Sequence, residues 1–317
     1  MSKIFGSFLF KLALTVAISI FIGFQLAKIE LKESTHSFRK ILGVEEVLKE
    51  DLVLKAQISA FLLGKEGEYA VYIKDLKPEG IRNVNINADQ SYEAASLYKL
   101  YLMAATFKAI SRGEISMETE ISAKLSHLEE VLGSVDYGYQ HLSSDEVATY
   151  TVRECLDRIA RISDNYAAIM LAEKVGWNSI QVTADEIGAT HTSIKTPIST
   201  SAQDVGLLLE KLYKGEIVSF DESEEMINFL TTAQVNNRIP ALLPKTDPST
   251  GSSLRIAHKT GELSQVRNDA GIVFLQGNPY VIVMMSKDLK YEDEGIENLA
   301  QISKIVFDYY ASSDVSE

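Results

Sequence analysis

Ser96 and Lys99 stand three residues apart at the start of an apolar-periodic stretch, Ser96-Leu97-Tyr98-Lys99, that continues to Ile110. At that spacing the two side chains share one face of a helix. A serine hydroxyl is a weak nucleophile until a neighbour takes its proton. A lysine one turn away can take it when burial or other cations lower its pKa. The helix N-terminus adds unpaired backbone N–H groups and a partial positive charge, which suit a developing oxyanion. The same pair also describes a helix-starting serine beside a solvated lysine, and Ser37-Phe38-Arg39-Lys40 repeats the spacing in this chain. Its meaning depends on what else converges on Ser96.

Two later stretches have matching chemistry. In Ser163-Asp164-Asn165 a hydroxyl can relay a proton and an amide can hold a carbonyl. By itself the tripeptide reads equally as a helix cap. In Lys259-Thr260-Gly261 a lysine and a hydroxyl can bind a carboxylate, and the glycine lets a ligand approach a strand edge. Alone, it is an ordinary strand end.

The elements that must position these residues follow from periodicity. Helical patterns cover 51–63, 97–110, 152–162, 166–175, 180–187, 201–214, 221–232 and 292–310. Strand patterns cover 69–73 and 81–86, then 255–260, 269–275 and 280–286. Between 111 and 149 short helices and long loops are expected. The order predicts an α+β fold: an antiparallel sheet built from both chain ends, flanked by helices, with an all-helical lobe inserted. A cleft between lobes is the natural site.

The 317 residues carry a net charge of −13, which speaks against a nucleic-acid partner. Cys155 is the single cysteine, so no intrachain disulfide forms, and its apolar-periodic setting suits a structural thiol. The five histidines form no His-x-x-x-His or Cys/His cluster, so neither a metal nor a cofactor is expected. From Ile4 to Ala27 the chain is predominantly apolar, with Lys11 its single charge; as a helix this spans about 36 Å, enough to cross a bilayer. The expected organisation is a membrane anchor or signal peptide over 1–27, a stalk over 28–50, a catalytic domain over 51–312 and a tail over 313–317. A single-pass anchor holding an extracytoplasmic domain is favoured over cleavage, because Gln25 is not the small residue that a cleavage site after Ala27 requires. A cleaved segment would make the protein secreted.

The three motifs, in this order, resemble those of the penicillin-recognising serine hydrolases, class A β-lactamases and penicillin-binding DD-peptidases. Thr151-Val152-Arg153-Glu154, Ala167-Ala168 and Asn268-Asp269 extend the likeness, which covers roughly residues 51–311. The resemblance implies a β-lactamase/transpeptidase-like fold and a role for each matching residue. Ser96 is then the acylated nucleophile, Lys99 its base and Ser163 the relay to the leaving nitrogen. Asn165 positions the substrate amide, while Lys259 and Thr260 bind its carboxylate beside Gly261. The backbone N–H groups of Ser96 and Glu262 form the oxyanion hole. Arg267 is a candidate carboxylate ligand, and Tyr137 or Tyr139 a candidate aromatic at the cleft rim.

One departure matters. Class A enzymes carry a glutamate, on a loop after the second motif, that activates the deacylating water. Here residues 188–203 form a short stretch with no acidic residue. His191 is the one side chain there with a suitable pKa for a substitute base. A general base contributes about 10²–10⁴ in rate, so acylation should survive and deacylation should slow. Glu262 also adds negative charge beside the carboxylate pocket. The expected function is therefore cleavage of a β-lactam or an acyl-D-Ala-D-Ala-type amide of peptidoglycan through an acyl-Ser96 intermediate. The alternatives are a DD-peptidase or transpeptidase, and a cell-wall sensor that does not turn over.

Overall fold

Asp51 starts the first described helix: its carboxylate accepts from the backbone N–H groups of Val53 and Leu54, at 3.1 and 3.0 Å, and caps α1 (Leu52–Leu62). The computed structural model describes residues 50–78, 80–133 and 145–312. Strands β1 (Glu68–Asp75) and β2 (Val84–Ile86) follow α1, then β3 (Tyr92–Glu93). A 3₁₀ turn, Ala95–Leu97, leads into α2 (Tyr98–Ser111). Next come β4 (Glu120–Lys124), α3 (Leu125–Gly133), β5 (Val147–Thr151), α4 (Val152–Ile162), α5 (Asn165–Val175) and α6 (Trp177–Ile187). After β6 (Ser199–Thr200) come α7 (Ala202–Tyr213), α8 (Phe220–Leu230), the strands β7 (Arg255–Leu263), β8 (Val266–Phe274) and β9 (Tyr280–Lys287), and α9 (Glu292–Ser312).

The main sheet has the order β2-β1-β9-β8-β7, with every neighbouring pair antiparallel. Both ends of the domain therefore build one sheet, as the pattern predicts. Side chains alternate between its faces. Val71, Ile73, Ile282 and Met284 pack with Leu54, Ile58, Leu299 and Ile302 of α1 and α9. Ala70, Tyr72, Ala270 and Val283 join the helices of the other face. Because both faces are covered, β9 is apolar without alternation. On the second face α7 presses directly onto β1. A Cβ on Gly206 would lie 2.2 Å from the Tyr72 ring, so only glycine lets the helix come this close.

Helix α2 is buried from Lys99 to Phe107 on every side. A helix buried all round is central rather than amphipathic. The Lys99 ammonium is therefore carried into the core, not out to solvent.

The inserted block is not all helical. β4 and β5 pair antiparallel from Glu120↔Thr151 to Lys124↔Val147, and β3 pairs with β6. β4 and β5 lie on the surface with no fully buried residue, so no apolar stripe announces them. Their outer face is polar, with the Ser122 and Thr149 hydroxyls 2.8 Å apart. The strand expected over 81–86 is confined to Val84–Ile86. Ahead of it, Arg82 turns its guanidinium to Asp75 and Asn278, at 2.8 and 2.6 Å.

The apolar stretch over 4–27, the stalk, Tyr137, Tyr139 and the tail lie outside the described residues. Among the described residues no helix is long and apolar enough to cross a membrane.

Replacing Gly206 by Ala forces a methyl group into the Tyr72 ring. Overpacking of this kind costs about 1–3 kcal/mol. The unfolding free energy from denaturant titration is expected to fall by that amount at unchanged m-value; an unchanged midpoint would show that α7 does not bear on Tyr72.

Candidate active site

Three elements far apart in the chain meet at the Ser163 hydroxyl. α4 starts with a capping box, in which Thr151 Oγ1 accepts from the Glu154 N–H and Glu154 accepts from the Thr151 N–H. It ends at Ser163, whose φ of 57° is left-handed. That conformation is uncommon for a residue with a Cβ and marks strained, often functional positions. Asp164, not Ser163, then caps α5: its Oδ1 accepts from the Ala167 N–H at 2.9 Å, and its Oδ2 holds Arg158. Ser163 is thereby left free of capping duty.

Lys99 Nζ comes from α2 and meets the Ser163 carbonyl at 2.7 Å, Ser163 Oγ at 3.3 Å and Asn165 Oδ1 at 2.6 Å. Lys259 Nζ comes from β7 and donates to Ser163 Oγ at 2.7 Å and to the Thr260 carbonyl at 2.8 Å. Both ammonium groups are buried. Burial, and then the charge of Lys259, hold Lys99 well below the usual lysine range, against the opposing pull of Asp164. Burial pushes Lys259 down to about 7; Arg238 adds to this, while Asp269 and Glu262 oppose it.

The hydrogen-bond pattern fixes what a neutral Lys99 does. An amine has two N–H donors and one lone pair. The Ser163 carbonyl and Asn165 Oδ1 are acceptors and take the two donors. The lone pair is left for a hydroxyl proton. Ser163 Oγ can then accept from Lys259 and donate to Lys99, which forms a proton path between the lysines.

Ser96 lies in the 3₁₀ turn before α2, half-buried, and among the described residues its Oγ has no hydrogen bond. The edge strand β7 lies against this turn. A Cβ on Gly261 would stand 3.2 Å from the Ser96 nitrogen and 3.2 Å from the Ala94 carbonyl. Glycine is what allows the edge to reach the serine backbone. Asn268 of β8 secures the approach: its Nδ2 donates to the Glu93 carbonyl at 3.0 Å and its Oδ1 accepts from the Ser286 N–H at 3.0 Å. Ser96, Lys99, Ser163, Asn165, Lys259, Thr260 and Gly261 are thus brought to one place.

Glu262 sits at the same edge, and its carboxylate binds Nη2 of Arg238. Arg238 is not recognisable in the sequence, because nothing in Asn236-Asn237-Arg238 sets it apart from a polar loop. Its side chain is 0% exposed, and Nε and Nη1 have no partner among the described residues. Unpaired buried donors of a cation are costly. A bound anion would satisfy them.

Arg267 is not part of this cluster. Its guanidinium donates to the carbonyls of Leu263 and Val266, both at 2.7 Å, and pairs with Glu292 at the start of α9. Residues 188–203 are held against the chain ahead of the serine turn. Thr200 and Ser199 pair with Tyr92 and Glu93, and the Ala94 N–H donates to the Ile198 carbonyl at 3.0 Å. The loop is stitched to the chain just ahead of Ser96, yet it brings no carboxylate. His191 does have a partner, Asp204, whose Oδ1 is 3.5 Å from its Nδ1. That aspartate is occupied by the His191 N–H and Thr192 Oγ1, and no contact links His191 to Lys99, Ser163 or Lys259 among the described residues.

The fold is that of the β-lactamase-family serine hydrolases. The chain belongs to the beta-lactamase enzyme family, whose sequence model matches residues 53–310. It is similar to the solved structure of PBP-A (25% identity, TM-score 0.71, 84% of this chain and 98% of that one). The fold is shared with a single-residue variant of the TLA-1 extended-spectrum β-lactamase (24% identity, TM-score 0.70, 82% and 98%). It is also shared with a β-lactamase from Sphaerobacter thermophilus (21% identity, TM-score 0.69, 83% and 97%). No curated protein sequence matches the chain.

Between about pH 7 and the ordinary lysine value of 10.5, the unfolded chain keeps a proton that folded Lys259 has released. Stability therefore rises with pH across that window, by about 1.4 kcal/mol per pH unit for each such group. Lys99 is shifted in the same direction. In Lys259→Met, denaturation midpoints measured from about pH 7 to about pH 9 are expected to rise less steeply than in the wild type. An identical slope would exclude Lys259 as a source.

Proposed function

We propose that the protein is a penicillin-binding serine peptidase that is acylated readily and freed slowly. The observation that carries this reading is the Ser163 hydroxyl held between two buried lysines, at 3.3 and 2.7 Å. Ser96 Oγ attacks the carbonyl carbon of an acyl-D-Ala-D-Ala-type amide, or of a β-lactam, and its proton goes to the Lys99 lone pair. The backbone N–H groups of Ser96 and Glu262 receive the oxyanion. The C–N bond then breaks, and the nitrogen takes the proton from Lys99 through Ser163. Asn165 has its Oδ1 committed to Lys99, so its Nδ2 is the group that faces the substrate amide. Lys259, Thr260 and Arg238 supply cation and hydroxyl to the terminal carboxylate.

Release of the acyl group needs an activated water, and residues 188–203 contain no carboxylate to activate it. PBP-A supports the reading by similarity: a mutant form of it was solved as an acyl-enzyme complex with penicillin G. We also read the apolar stretch over 4–27 as an anchor that holds the domain on the outer side of a cell membrane. Its support is its length and that Lys11 is its single charged residue.

Intact-mass measurement with a penicillin is expected to show a single long-lived adduct, absent in Ser96→Ala. Lys99→Met should slow its formation by about 10²–10⁴. Rapid turnover of a chromogenic cephalosporin would overturn the slow-release reading. Adduct that persists in Ser96→Ala would remove Ser96 from the mechanism.

A further inference from the structure

His258 precedes Lys259 on β7, and its ring lies in the core, 2% exposed, with Asp269 of β8 at 0%. Nδ1 is 2.9 Å from Asp269 Oδ1 and 3.2 Å from Oδ2. Nε2 is 2.9 Å from Asn236 Oδ1. The Asn236 amide is oriented independently, since its Nδ2 donates to the Ala233 carbonyl at 3.0 Å. Both ring nitrogens therefore face atoms that only accept. A neutral imidazole has one donor; an imidazolium has two.

The same pair holds the loop that carries Arg238. Asn236, two residues before it, binds the ring. Ile239, one residue after it, donates its N–H to Asp269 Oδ2 at 2.9 Å. On the far side α9 takes the Ile239 carbonyl through Ser303 Oγ at 2.8 Å. Arg238 is thus fixed between two clamped neighbours, and Lys259 follows the ring by one residue. The charged groups around this pair are Arg238, Lys259 and Glu262; on the packed helix α8, Glu224 is occupied by Arg255.

We propose that His258, as a doubly protonated imidazolium paired with Asp269, is a positioning residue that holds Arg238 and Lys259 in register as one carboxylate-binding unit. It touches no substrate itself. The inference rests on the acyl-enzyme reading for the ligand, while the clamp stands on its own geometry.

Asn236→Ala tests it with least risk to folding, because Asn236 is exposed. The full chain is compared with the variant by the rate of adduct formation with benzylpenicillin and with its methyl ester. Loss of a hydrogen bond to a charged group predicts roughly a tenfold slower reaction with the free acid. The ester, which has no carboxylate to hold, should change less than about twofold. An equal loss with both, or no loss, overturns the proposal. If the wild type takes no adduct from either compound, the acyl-enzyme reading fails instead. The clamp is then decided by the ring ¹⁵N signals of His258 in histidine-labelled full chain at about pH 6, assigned with His258→Gln. Two protonated ring nitrogens, one of them changed by Asn236→Ala, support it. One protonated nitrogen overturns it.

Discussion

Two buried ammonium groups share one half-buried hydroxyl. That is the constraint on which the rest depends. Lysines repel each other and resist burial, so neither would sit at Ser163 unless the surrounding chain left no alternative. The solution is distributed. α2 is buried on all sides and delivers Lys99 from within the core. The main sheet delivers Lys259 from its edge. The left-handed turn at Ser163 offers both a carbonyl and a hydroxyl to cations. Burial destabilises the charged form of both lysines.

The fold supplies rigidity in proportion to that demand. β7 approaches Ser96 through Gly261, and β8 secures the approach through Asn268. The sheet is covered on both faces by apolar side chains, so the edge strand cannot shift without disturbing both layers. Strand order brings residues from both ends of the domain together, which is why the serine and the Lys-Thr-Gly stretch lie so far apart in sequence.

Much of this arrangement was legible in the residues. The helices α1 and α4 to α9 follow apolar periodicity because they bury a defined face, and strands such as β9 read as apolar runs because both faces of the sheet are covered. The seven residues that meet at the site were recognisable because they occur as short contiguous sets. What escaped recognition shares a physical cause. β4 and β5 bury too little to leave a pattern. Arg238 is drawn to the site by a long-range contact with Glu262 and by proximity to Lys259, neither of which any local spacing encodes. Arg267 looked suitable from its position eight residues beyond Lys259, but Glu292 and two carbonyls of the hairpin turn hold it elsewhere. The pair Ser37 and Lys40, lying outside the described residues, has the spacing of Ser96 and Lys99 without the company that gives it meaning.

The loop over 188–203 is bound by backbone hydrogen bonds to the segment before Ser96, yet it contains no carboxylate. On the function proposed above, capture and release would fall to different pieces of chain. Substitutions in the loop would then change how long an acyl group persists without touching Lys99 or Lys259. The dwell time of such an adduct would be an independently adjustable property, a timer set beside a trap.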